Sequence, residues 1–328
     1  MDSSDDGLSG LSEAVQGSWH RFLDIYEPLR PELYRYCRYL TRTAWDAEDL
    51  VQDTLARAFV TLGKLYSPPP NPRAWMFRVA SNLWIDRMRG AREVLGVAPD
   101  QPEQAAPPTP NVDRGAASTL IGSLAPRERA AVVLKDVFGL SLDEVAEALS
   151  TSAGAIKAAL HRGRGKLQDT TAQSPQPVAA PVLDAFCDAF NARDLQRLTA
   201  LLLDTSVVEV VGAATEYGPD AASDPETGSF AGFLSSIARA DRGGVDARYL
   251  GGYLAQAPRL ELREHRGELI FVFWYAHSDG EAVRALARAQ VEGDRIARLR
   301  YYFFTEDVLA EVCRELDVPF RRNGYRFW

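Results

Sequence analysis

Cysteine is nearly missing from this 328-residue chain: Cys37, Cys187 and Cys313 are the whole supply. Scattered singly, they make neither a disulfide framework nor a metal-binding spacing. A reducing cytoplasm is therefore the natural compartment, and no metal or other cofactor is expected. Also missing are an apolar run as long as a membrane span, the pattern of a signal peptide, and any internal repeat. Positive charge is in deficit too, with 37 Lys and Arg against 45 Asp and Glu and a net charge of -8. That balance excludes a protein that grips nucleic acid with its whole surface. It leaves room for one that concentrates basic residues locally and meets DNA inside a larger complex, with acidic surface kept for the partner. Hydrophobic residues make up 46% of the chain, enough for packed cores, and the length suits two or three domains.

What is present begins with an acidic helix, Asp46-Ala-Glu-Asp-Leu-Val-Gln-Asp53. Asp46, Glu48, Asp49 and Asp53 lie around it while Leu50, Leu55 and Phe59 face inward, an arrangement that taken alone is an ordinary solvated surface. Further on, Pro72 opens a second helix. Its apolar residues Trp75, Val79 and Leu83, with Phe77, Ala80, Trp84 and Met88, repeat at helical spacing and make two adjacent stripes. Arg78, Asn82 and Arg89 fall on a third, exposed stripe. Arginine neutralises phosphate, an asparagine amide reads an unpaired base edge, and an indole stacks on a splayed base. Each aromatic taken singly is better explained as core. The segment as a whole fits single-stranded DNA better than a major-groove reader.

A second DNA signal spans Leu124 to Leu167. Pro126-Arg-Glu-Arg opens a helix, Gly139 breaks it, and Ser141-Leu-Asp-Glu144 has the form of a capping box for the helix Leu142 to Leu149. After a Ser-Thr-Ser turn comes Ala153 to Leu167, where Lys157, His161, Arg162, Arg164 and Lys166 meet no acidic residue. Two short helices about a tight turn, the second basic along one face, form a helix-turn-helix pattern. Ser152, Ala155, Lys157 and Ala158 would enter the groove, with His161 on the same helix, and Arg162, Arg164 and Lys166 would hold phosphates.

In order and spacing, these two segments resemble the extracytoplasmic-function sigma factors of the sigma-70 family over roughly residues 20 to 170. The resemblance implies that Asp46, Glu48, Asp49 and Asp53 bind the β′ clamp of RNA polymerase core, whose β subunit is a further partner. It implies that Trp75, Arg78, Asn82 and Arg89 read and melt the minus-10 promoter element. The helix from Ser152 to Lys166 would read the minus-35 element.

Composition predicts a frayed start at 1–15, a first helical domain at 16–95, a Pro-rich linker at 96–117, the helix-turn-helix domain at 118–169 and a second linker at 170–180. The remainder, 181–328, predicts an α+β fold: a helix at Val182 to Leu203, a strand at Val207 to Val211, a helix near Phe230 to Ala240, then a run of long antiparallel strands. Those are Arg248 to Ala255, Leu260 to Arg266, Glu268 to His277, Val283 to Val291 and Arg295 to Phe304. Phe190-Asn-Ala-Arg-Asp-Leu-Gln-Arg-Leu resembles the SnoaL-like branch of the nuclear transport factor 2 (NTF2) superfamily, which implies a cone with one curved sheet. The expected fold class is thus two all-α domains followed by an α+β NTF2-like cone.

Glu209, Tyr249, Trp274, Tyr275, His277 and Tyr302, with Tyr217, are the candidate lining of a pocket in that cone. No tight Asp-His or Ser-His-Asp constellation accompanies them, so the expectation is regulation of the first two domains by intramolecular contact, not catalysis. Both faces of Glu268 to His277 are apolar, which predicts helices on one side and another domain on the other. Some sigma factors with such a tail carry a Trp-Leu-Pro-Glu-Pro linker motif and an Asp-Gly-Gly-Gly-Lys loop, and neither occurs here. The competing readings are a helix-turn-helix regulator with a ligand-binding tail and a SnoaL-like enzyme. The acidic and aromatic first domain, which a duplex-binding repressor does not need, favours the sigma factor.

Overall fold

The computed structural model describes residues 3–41, 43–65, 67, 69–94, 124–166, 181–218 and 258–325. The expected linkers, the expected helix near Phe230 and the expected strand at Arg248 to Ala255 lie outside them. The chain divides into two compact units, Met1–Gln173 and Ser174–Trp328.

Unit 1 is helical. Helices α1 (Ser3–Tyr26), α2 (Arg30–Leu40), α3 (Ala44–Leu62) and α4 (Pro72–Val94) come first. The stretch expected to be frayed is helical from Ser3. Trp19 and Phe22 tie α1 to α3, with ring centroids 5.1 and 5.5 Å from Phe59. Leu33, Tyr36, Leu50, Leu55, Phe77 and Trp84 fill the core. A buried hydroxyl pair within it is satisfied in series, Tyr36 donating to Ser81 (2.6 Å) and Ser81 to the Phe77 carbonyl.

Then follow α5 (Pro126–Val132), a π-helical turn at Val133–Val137, α6 (Leu142–Ala148) and α7 (Ala153–Lys166). Gly139 takes φ +68°, a left-handed conformation that ends the turn cheaply only for glycine. Gly163 matters for another reason. A Cβ there would sit 3.0 Å from a Val132 methyl, so a larger residue would require the α5 side chain to shift.

Unit 2 is built on a mixed six-stranded sheet: β1 (Leu202–Val210), β2 (Ala214–Tyr217), β3 (Arg259–His265), β4 (Glu268–His277), β5 (Gly280–Glu292) and β6 (Arg295–Tyr302), in the order β2-β1-β6-β5-β4-β3. Helices α8 (Pro181–Asn191) and α9 (Leu195–Ala200) precede it, and α10 (Glu306–Glu315) follows. The sheet is not wholly antiparallel, because β1 and β6 run parallel. The single helix expected at Val182 to Leu203 is two. Arg193, at φ +59°, reverses the chain while its amide bonds the Phe190 carbonyl, and the Asp194 carboxylate then caps α9 by accepting from the Arg197 amide (2.9 Å).

Phe186 and Phe190 of α8 pack on Phe271 and Phe273 of β4, with Leu198, Val208, Leu299 and Tyr301 in the same core. On the opposite face Ile270, Val272, Val283, Leu286 and Tyr302 are buried as well. The sequence expectation placed another domain there. Instead α10, which the sequence reading missed, packs along β5 with Val308, Leu309, Val312 and Cys313 buried, so apolar residues on both faces of β4 are covered within unit 2. The end of α10 is fastened by Glu315, which accepts from His265 (2.7 Å) and Arg266 (2.8 Å) in the β3–β4 turn.

Burial alone would raise the Glu315 carboxyl, but those hydrogen bonds outweigh it and bring its pKa down to about 2. A depressed carboxylate contributes stability that is complete above its unfolded pKa and lost as pH falls toward the folded one. Unit 2 should therefore lose on the order of 3 kcal/mol between about pH 5 and pH 2 from this residue. Urea midpoints across that range test it. A Glu315→Gln chain that loses as much stability as the wild type would discard the assignment.

Residues 319–323 complete the sheet. β6 ends at Tyr302 opposite Leu286, leaving the first part of β5 without that neighbour. The Val283 amide donates to the Pro319 carbonyl (2.8 Å) and the Arg321 amide to the Val283 carbonyl (2.9 Å), while Asn323 bonds the Arg284 and Phe303 carbonyls. Among the described residues no helix is long and apolar enough to cross a membrane.

Candidate nucleic-acid interface

Thr43 starts α3 by accepting from the Asp46 amide (3.0 Å), and its hydroxyl donates to the Asp46 carboxylate (2.8 Å). Asp46 is thus fixed in the first turn, where the helix dipole favours negative charge. Asp46, Asp49 and Asp53 follow at i, i+3 and i+7 and share one stripe. Asp46 and Asp53 are exposed, Asp49 is half-buried, and Asp53 is paired with Arg87 of α4. Glu48 does not belong with them. It turns inward, is fully buried, and is bonded to Arg30 and to Gln52 (2.6 Å). A carboxylate so enclosed has no access to a docking partner, which corrects its inclusion among the docking residues.

Asn71 caps α4, its side-chain oxygen accepting from the Ala74 amide (3.0 Å), and Pro72 occupies the first turn. Met76, Phe77, Ala80 and Trp84 are buried. Arg78, Asn82 and Arg89 are exposed on one stripe, with Arg89 3.3 Å from Asp86. Trp75 is half-buried, its ring 5.7 Å from that of Tyr26, so part of its face is held by the protein and part is open.

The capping box of α6 is formed: Ser141 accepts from the Glu144 amide (3.2 Å), and Glu144 accepts from the Ser141 amide (2.7 Å). Ser152 caps α7 through the Ala155 amide (3.2 Å). Ile156, Ala159 and Leu160 anchor α7, while Ser152, Ala155, Lys157, Ala158, His161, Arg162 and Arg164 are exposed; Lys166 closes the helix. Two of these cations are already engaged. Arg162 bonds the buried Glu128 (2.9 Å) and Arg164 bonds Asp136 (3.0 Å), which raises the Arg164 pKa. A phosphate approaching either guanidinium would have to compete with these carboxylates.

The described pocket residues of unit 2 do not form one cluster, although Arg300 bonds Glu209 and lies 5.6 Å over the Tyr302 ring. Successive strand residues point to opposite faces, so Tyr275 enters the core beside Tyr301 (2.9 Å between hydroxyls), where burial pushes its pKa to about 12. Trp274 and Tyr302 are on the other face. Trp274 donates to Glu261 (2.8 Å), and Glu209 is paired with Arg300 (2.9 Å). His277 ends β4, with burial first and then Arg321 and Arg284 lowering its pKa. Tyr217 is exposed on β2, and Tyr249 lies outside the described residues. A cleft of about 740 Å³ lies elsewhere, lined by Val182, Leu183, Leu269, Ala289, Val291 and Asp294 among others. Among the described residues no cluster of His, Cys, Asp and Glu is arranged to hold a metal.

Comparison with known proteins matches residues 25–94 to sigma-70 region 2 and residues 114–167 to sigma-70 region 4. The chain is 30% identical over 221 residues to the ECF RNA polymerase sigma factor SigG of Mycobacterium tuberculosis, covering 56% of this chain but only 60% of SigG. With SigJ of the same organism it is 28% identical over 294 residues, 76% of this chain and 89% of SigJ. With SigL it is 35% identical over 144 residues, 42% of this chain and 81% of SigL. The acidic and aromatic helices fall within the region 2 match and the helix-turn-helix within the region 4 match, and the chain belongs to the ECF RNA polymerase sigma factors of the sigma-70 family.

Proposed function

We propose that this protein directs core RNA polymerase to a promoter and helps open the duplex, doing no chemistry of its own. The observation that carries this reading is the division of unit 1 into three surfaces. Asp46, Asp49 and Asp53 offer an acidic stripe for a basic protein partner. Arg78, Asn82, Arg89 and the open part of Trp75 offer phosphate, base-edge and stacking contacts to a single strand. The capped α7 presents Ser152, Ala155, Lys157 and His161 to a major groove, with Arg162 and Arg164 along the backbone. The place of action is the cytoplasm, where polymerase and promoter meet. Unit 2 regulates unit 1 by intramolecular contact.

The two DNA surfaces should fail differently. Trp75→Ala with Asn82→Ala should leave upstream duplex binding by the polymerase complex intact and cut strand opening roughly 5–100-fold, since stacking is worth about 1–3 kcal/mol per base. Arg162→Ala with Arg164→Ala should weaken duplex binding across sequences and flatten its salt dependence. Permanganate footprints report unpaired thymines directly. Equal loss of them in both variants, at saturating protein, would end the assignment of melting to α4.

A further inference from the structure

Residues 319–325 lie on unit 2 in the manner of a bound peptide. Pro319 and Arg322 are exposed, and Phe320, Arg321, Asn323, Gly324 and Tyr325 are half-buried, so no side chain of the segment is enclosed in the core. Polar contacts hold it. Its main chain brackets Val283 of β5 through the two bonds given above, with Phe320 alongside Val283 in parallel pairing. Asn323 reaches the Arg284 and Phe303 carbonyls, and Arg284 donates to the Arg322 carbonyl (3.3 Å). Arg321 pairs with Asp279 on the β4–β5 turn, and Arg322 lies 3.6 Å from Glu306. The Gly324 amide donates to Glu306 (2.9 Å) and the Tyr325 hydroxyl to Asp307 (2.8 Å), both in the first turn of α10.

The receptor half of this contact is built from other parts of unit 2: the stretch of β5 beyond the end of β6, two carbonyls, and the carboxylates Asp279, Glu306 and Asp307. Three carboxylates alone would be a solvated surface. A peptide seated among them shows what they accept, which is an extended main chain carrying adjacent arginines. Strand addition of this kind draws affinity from main-chain bonds and selectivity from side-chain contacts. A segment held by two main-chain ladder bonds and partly exposed ion pairs belongs to the low end of local stability. Its link through Leu316 to Val318 keeps it at an effective concentration of roughly 1 mM, so an intrinsic dissociation constant of about 0.1 mM would leave the slot filled about nine-tenths of the time. A competing segment from elsewhere then meets a handicap of only about tenfold. A second copy offers the same residues without the linkage, whereas a different protein can add contacts beyond the slot. We propose that this slot is a docking site for an extended, arginine-bearing segment of another protein, and that residues 319–325 occupy it in cis until displaced.

The probe is a fluorescein-labelled peptide with the sequence of residues 319–325, titrated into the full chain and read by anisotropy. Arg321→Ala, Arg322→Ala and Asn323→Ala together should empty the slot and tighten probe binding about tenfold over the wild-type chain. Adding Asp279→Asn and Glu306→Gln to that variant should weaken it again by about tenfold. Arg321→Ala alone, which removes a single surface pair, serves if the triple variant does not fold. A second probe that keeps only Arg-Arg-Asn, with alanine and serine elsewhere, should still bind the emptied chain. Equal binding to wild-type and emptied chains, binding indifferent to the two carboxylates, or failure of the second probe would each overturn the site. So would a wild-type dimer that grows with concentration and vanishes in the triple variant, since the occupant would then be a second copy.

Discussion

Glu48→Ala is expected to destabilise unit 1 by about 3–5 kcal/mol, because it breaks a buried ion pair. Arg30 is 4% exposed and has Glu48 as its carboxylate partner. Deleting that carboxylate takes one charged partner from a desolvated guanidinium, and also removes the Gln52 contact. Substituting both partners, Arg30→Met with Glu48→Leu, should cost far less, since apolar residues of similar volume often replace a buried ion pair with little loss. Denaturant unfolding of the two singles and the double gives the coupling directly. If Glu48→Ala costs under about 1 kcal/mol, the pair contributes no more than a surface ion pair would, and its buried role is wrong.

The second large effect is expected at the acidic stripe. Asp49→Arg together with Asp53→Arg should weaken association with core polymerase at least about 100-fold, as like charges facing one another across an interface cost several kcal/mol. Asp53 is paired with Arg87, so reversing it also sets two cations side by side within the protein. Adding Arg87→Asp restores that local pair and isolates the partner's share: stability should recover and binding should not. Co-purification with core at wild-type levels would remove α3 as the docking helix, and recovery of binding with Arg87→Asp would show that the defect had been internal.

Much of unit 1 was legible because its signals are local. The capping box at Ser141 and Glu144, the opener at Pro72 and the helical spacing of Phe77, Ala80 and Trp84 each depend on neighbours a few residues away. Glu48 was misplaced for the opposite reason. Nothing in Asp46-Ala-Glu-Asp reveals that Arg30, eighteen positions earlier, turns one of those carboxylates inward.

In unit 2, β4 was read residue for residue from its apolar run. The parallel pairing of β1 with β6 depends on a partner more than ninety residues away and left no mark on either strand. Helix α10 did leave a mark. Val308, Leu309, Val312 and Cys313 recur at helical spacing after an acidic first turn, and an apolar face of β4 assigned to another domain was in need of cover.

The pairing of Val283 with residues 319–323 has a consequence for synthesis. A sheet that borrows its last neighbour from so late in the chain stays incomplete on the ribosome until that stretch has emerged. At about 5–20 residues per second, unit 1 is made roughly 10–30 s earlier. Each new molecule therefore passes through an interval in which unit 1 exists without a finished unit 2, and any restraint that unit 2 imposes is acquired only once residues 319–323 have been made.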